Sequence, residues 1–223
     1  MSLAVILLLA FSLSAVAKPA PASTVSGHKS AKDSVSSHCT EEDRDGRHAR
    51  FDLPPIERMR GCFRSTGDMI FGFSSIKDGS GTALILWRDN RDRPFIEVRV
   101  RSRQVRRPVV VAVRTRIAQS VWNDLAAEGR SIDFTEYGVD RVCTAGGVWT
   151  IEVMDSEGLV RRVYHDPCYK DQAMQLFDKM ANAALAALPK CSSRPNYEGE
   201  ESESILHRCL LPRSKRGRWT DWR

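Results

Sequence analysis

Apolar and polar positions along the chain fall into blocks of two different periods. Val148-Trp149-Thr150-Ile151-Glu152-Val153-Met154 is rich in β-branched and aromatic residues, and Leu159 to His165 is a second extended run. Ser156-Glu157-Gly158 between them can turn the chain, with Gly158 able to take positive φ, so the pair predicts an antiparallel hairpin. Trp149, Ile151 and Val153 share one face, because strand side chains alternate. After the hairpin the period changes. Ala173, Leu176, Phe177, Met180, Ala184, Ala187 and Leu188 recur three or four apart, the buried stripe of a helix. Asp166 as N-cap and Pro167 at the first helical position predict its start, and Pro189 its end. Such a helix can return along the hairpin and cover its apolar face. A turn centred on Glu157 sets Glu152 near Arg161 or Arg162 across the hairpin, as an ion pair.

Upstream, Glu57 to Phe63 predicts one or two helical turns, and Met69–Phe73 and Thr82–Trp87 predict strands around a turn cluster at Lys77–Gly81. Phe95 to Ser102 alternates cleanly, with Ile96, Val98 and Val100 inward and Glu97, Arg99 and Arg101 outward: a half-solvated antiparallel strand. Val109 to Thr115 is apolar enough to predict a central strand. Ile117 to Glu128 predicts a helix, with Gly129 as its C-cap. Ile132 to Tyr137 reads as a strand or an extended crossover. The order strands–helix–hairpin–helix predicts an α+β fold: an antiparallel sheet with two helices packed on one face, braced by disulfides.

The ends of the chain differ from its middle. Residues 1–17 combine an apolar run at Leu3–Leu13, too short to span a bilayer, with Ala15-Val16-Ala17, and read as a secretory signal peptide; an uncleaved anchor is the alternative. Residues 18–50 have few large apolar side chains and read as a disordered linker. The α+β domain is expected over 51–191. Residues 192–223 read as a polar, mobile C-terminal tail, whose one apolar segment, Ile205–Leu211, could dock as a short strand. No later stretch is long and apolar enough to cross a membrane.

Export to the periplasm or the medium would place the six cysteines in an oxidising compartment. The hairpin geometry brings Cys143 and Cys168 to one end, within bridging reach. Cys168–Cys191 is excluded by the length of a continuous helix, since a disulfide needs Cα atoms within about 7 Å. Cys39–Cys62 and Cys191–Cys209 complete a consistent set, with Cys62–Cys191 as a rival pairing. No spacing is C-x-x-C, so neither a zinc ribbon nor a thioredoxin-type site is expected. His28, His38, Cys39 and His48 fit no tetrahedral metal motif, and no cofactor motif is present.

Charge sharpens the picture. The chain carries a formal +6. Residues 88–107 alone hold eight arginines against Asp89, Asp92 and Glu97. Arg99, Arg101 and Arg103 share one strand face and form a ladder that could bind a polyanion, either an anionic envelope polymer or lipid headgroups; export argues against nucleic acid. The competing explanation is a solvated face that protects an edge strand. No catalytic residue is assigned. His165-Asp166 is the one His–Asp pair in the expected core, and adjacent strand residues point to opposite faces. Neither G-x-S-x-G nor H-E-x-x-H occurs. The function expected is a non-catalytic binding or envelope-associated module with a basic surface. The alternatives are a hydrolase-type enzyme assembled from distant residues, and an inhibitor that inserts a braced loop near Cys143–Gly147.

Overall fold

A computed structural model describes residues 48–76, 79–102, 108–134, 147–165, 171–193 and 201–211, with the side chains of 76, 147 and 165 left aside. Six strands form one antiparallel sheet: β1 (Thr66–Ile76), β2 (Gly81–Arg88), β3 (Pro94–Arg101), β4 (Val110–Arg116), β5 (Gly147–Met154) and β6 (Val160–His165). Their order across the sheet is β4-β3-β2-β1-β5-β6. The helices are α1 (Ile56–Phe63), α2 (Gln119–Ser131), α3 (Gln172–Ala186), the short α4 (Pro189–Ser192) and α5 (Ser202–Leu210). This is the α+β antiparallel architecture that the periodicities predict.

The hairpin of β5 and β6 has the expected register, with Trp149 opposite His165 and Glu152 opposite Arg162. Asp155 closes its turn by accepting from the amides of Glu157 and Leu159, both at 2.9 Å, and Gly158 takes φ +92°. α3 covers the hairpin as its stripe requires. Ile151, Val153, Phe177 and Met180 join one core, and the Trp149 ring meets Phe177 edge-on at 4.6 Å. The helix begins later than predicted: Asp171 is the N-cap and accepts from the Met174 amide at 2.8 Å. Asp166 and Pro167 lie outside the described residues. Packing is close enough that a Cβ at Gly72 on β1 would stand 2.9 Å from both Ile151 Cδ1 and Phe177 Cδ2. Gly129 plays the same part in α2, where a Cβ would meet Ile70 Cδ1 at 2.8 Å. It is a contact glycine inside the helix and not the predicted C-cap; Ile132 holds that position.

The larger departure is on the other side of the sheet. The predicted solvent face is covered by residues 48–63. Phe51, Leu53, Ile56, Met59 and Phe63 pack on Met69, Phe71, Phe73, Ala83, Ile85, Trp87 and Met154 in a second core. So β1 and β2 are buried on both faces, and β3 is not half-solvated: Glu97 and Arg99 are as enclosed as Ile96 and Val98. The fold therefore starts no later than His48, inside the stretch 18–50 expected to be a linker.

Two further expectations change. β4 is an edge strand, not a central one; its outer-face residues Arg114 and Arg116 are exposed, the kind of charge that guards an edge. The end of the chain is not a featureless tail. Residues 202–210 form α5, with Ile205, Leu206 and His207 buried. Ile205, Leu206, Cys209 and Leu210 recur with helical spacing, which overrides the short strand expected there. α5 is fastened to α4 by the disulfide Cys191–Cys209. That bridge removes the rival Cys62–Cys191. Cys62 is disulfide-bonded to a cysteine outside the described residues. Cys39, Cys143 and Cys168 themselves lie outside them, as does the loop at Cys143–Gly146.

Candidate functional site

The arginines expected to form a ladder take three different paths. Arg99 is buried beneath the N-terminal segment. Its Nε donates to Glu97 Oε1 at 2.7 Å, and its Nη1 donates to the carbonyls of Phe51 at 2.8 Å and Asp52 at 2.6 Å. It is a clamp that holds residues 51–52 on the sheet, and no anion can reach it. Arg101 is half-buried, its backbone carbonyl 3.2 Å from His207 Nε2. Arg103 lies outside the described residues. Arg99 is thus withdrawn as a surface rung, because strand alternation says which residues share a face but not whether that face meets water.

Buried charge on this second face is paired throughout. Glu97 also accepts from Arg114 Nε at 3.1 Å and Nη2 at 3.0 Å. Glu152 sits between His48 Nε2 at 3.1 Å and Arg162 Nε at 3.3 Å, and Arg162 also bonds Glu57. The His48 ring lies 4.6 Å from that of Phe71. Arg60 donates to the backbone carbonyls of Gly67 and Ser156, both at 3.1 Å, and of Asp155, so α1 is tied to the turn between β5 and β6. These contacts join residues 48–64 to strands β1, β3, β5 and β6. His48 is therefore a structural anchor, and His28, His38 and Cys39 lie outside the described residues. Among the described residues no group of three or more His, Cys, Asp or Glu side chains could hold a metal ion. His165 ends β6, but its side chain and Asp166 are outside the description.

Open arginines gather instead where β2 turns into β3 and β4 ends. Here guanidinium groups and aromatic rings alternate. Arg93 and Arg116 both lie over Phe95, at 5.9 and 5.6 Å from the ring centre. Phe95 stacks on Trp87 at 5.6 Å, and Arg114 covers Trp87 at 4.8 Å and Phe63 at 5.4 Å. The register explains the grouping, since Phe95 pairs with Arg116 and Glu97 with Arg114 on neighbouring strands. A ring beneath each guanidinium limits its freedom, and the Nε–Nη2 edges of Arg93 and Arg114 are turned to Asp89 and Glu97. Arg93 and Arg114 keep roughly a third of their side chains exposed, and Arg91 and Arg116 are exposed. Neither the Arg91 nor the Arg116 side chain has an acidic partner among the described residues. Asp89 clasps Arg93 across the turn. The side-chain hydrogen bond from Arg93 is the largest influence on its carboxyl, which is lowered to about 2. This group was missed in the sequence because Trp87 and Phe95 read only as core residues.

On the helix side of the same turn lies a cleft of about 410 Å³, lined by Thr66, Gly67, Asp68, Arg88, Asp92, Trp122, Asn123, Ala126 and Arg130. A bulge between Thr66 and Ile70 carries the start of β1 out of register with β2, with Gly67 at φ +75°. Arg88 lies over Trp122 at 5.0 Å. It donates from Nη1 to Asp92 Oδ1 at 2.8 Å and from Nη2 to Asn123 Oδ1 at 3.1 Å. Arg130 pairs with Asp68 across the cleft. The charged lining is two arginines and two aspartates. No family model, curated protein or solved structure matches the chain.

Proposed function

We propose that this chain is a non-catalytic binding module of an exported protein, periplasmic or secreted, that contacts anionic envelope polymer or lipid headgroups through Arg91, Arg93, Arg114 and Arg116. The alternating stack of guanidinium groups and rings is the observation that carries this reading. Anchored guanidinium groups suit phosphate and carboxylate oxygens, with Arg91 and Arg116 and the outer Nη1 groups of Arg93 and Arg114 left to engage them, and little side-chain freedom is lost when they do. Every buried charge named above serves to hold the fold together. No helix among the described residues is long and apolar enough to cross a membrane, so contact with an envelope would be made at its surface.

The test is binding of the disulfide-intact chain to heparin, to lipopolysaccharide and to vesicles with and without anionic lipid, measured across ionic strength. Affinity should fall linearly with salt on logarithmic axes. An Arg93→Gln/Arg116→Gln variant should weaken binding and lower the slope by about two, one for each contact removed. Absence of binding to all three at low salt, or a slope unchanged in the variant, would refute the proposal.

A further inference from the structure

We infer that the cleft between β1, β2 and α2 is a binding site for one small anion, a carboxylate or a phosphate monoester, held by Arg88 and Arg130. The inference builds on the basic surface proposed above and adds a discrete pocket to it. The pocket volume of about 410 Å³ is in the range of small-molecule sites, about 300–1,000 Å³. Two guanidinium groups face a cleft whose floor, Trp122, is buried.

The bonding of Arg88 shows how an anion would enter. Its Nη1 is occupied by Asp92, a residue of the exposed turn whose side chain is 69% accessible. An ion pair so open to water contributes little, and its carboxylate can leave for solvent at small cost. Asp92 thus behaves as a stand-in, an oxygen donor on the rim resting where a ligand oxygen would bind. A ligand with two oxygens on one centre, as in a carboxylate or phosphate, could replace Asp92 on Nη1 with one oxygen and reach Arg130, the other cationic wall, with the second. Asn123 stays on Nη2 and is itself held by Gln119 Nε2 at 2.9 Å. At the other wall Asp68 is 15% accessible. It supplies an acceptor for a hydroxyl or ammonium carried by the same ligand, so glycerol phosphates and uronic acids fit better than bare ions.

The test uses the full chain, following the Trp122 indole signal by nuclear magnetic resonance during titration with inorganic phosphate, glycerol 3-phosphate and glucuronate. Saturable shifts are expected, strongest for the probes that carry hydroxyls, and the ranking of the two hydroxylated probes separates a phosphate ligand from a carboxylate one. Arg88→Gln should weaken binding at least tenfold. Asp92→Asn, at an exposed position, should tighten it several-fold by removing the internal competitor; a purely structural Asp92 would give no gain. Arg93→Gln/Arg116→Gln should leave small-anion binding intact while reducing binding to polymer, so the two readings fail separately. No saturable shift with any probe, or Asp92→Asn binding no better than the natural chain, would overturn the inference.

Discussion

Glu203 offers the sharpest check on how the end of the chain is docked. It lies in the first turn of α5 and reaches Ser74 on β1, whose hydroxyl donates to its carboxylate. Burial raises the carboxyl from 4.5 to about 7; the Ser74 and Thr82 hydroxyls act against the rise, and Glu201 and Asp178 add to it. A raised acid binds its proton more tightly in the folded state than in the unfolded one. Below pH 4.5 both states are protonated and the group is neutral in its effect. As pH climbs from there to 7 the unfolded state ionises first, and stability falls; above 7 the loss is complete. The interval corresponds to at most about 3.5 kcal/mol at roughly 1.4 kcal/mol per pH unit, and nearer 1–2 kcal/mol once the partial exposure of the residue is allowed for. Glu203→Gln keeps the shape and removes the titration. Urea unfolding of both chains, disulfides intact, should show the natural chain losing stability between pH 4.5 and 7.5 while the variant does not. The variant should be about equal at pH 4 and more stable at pH 8. Parallel pH profiles for the two chains would refute the reasoning.

Other positions test the rest of the frame. Gly72→Ala should cost about 1–3 kcal/mol, because the added methyl group meets Ile151 and Phe177; an unchanged melting temperature would mean that α3 does not press on β1. Arg99→Met breaks a buried ion pair and strips two carbonyls of their donor, so it should cost about 3–5 kcal/mol. It should also free residues 48–52 for rapid amide exchange; continued protection there would show that the second core does not depend on the clamp. Asp171→Ala removes the N-cap of α3 and should cost about 1 kcal/mol by chemical denaturation; no change would place the helix start elsewhere.

Much of the C-terminal half was legible without coordinates, and the reason is local. A turn residue able to take positive φ sets the register of β5 and β6, and the stripe from Ala173 to Ala184 sets which side of α3 meets them. Glu152 opposite Arg162 follows from that register alone. The second core left traces too: Ala83 to Trp87 and Met69 to Phe71 are apolar at consecutive positions, the mark of strands covered on both faces, and Phe51, Leu53, Ile56, Met59 and Phe63 were available to cover them. The clean alternation of β3 outweighed those signs and made Glu97, Arg99 and Arg101 look solvated.

The sequence by itself therefore determined the strands, the helices, the hairpin and the α+β class, because each rests on periodicity and turn chemistry within a few neighbouring residues. Only the tertiary structure decided that Arg99 is an interior clamp, that β4 is an edge, that Trp87 and Phe95 carry stacked arginines, and that a charged cleft exists at all. Its walls come from residues 66–68, 88–92 and 122–130, and no pattern inside any one of those segments says that the other two will face it.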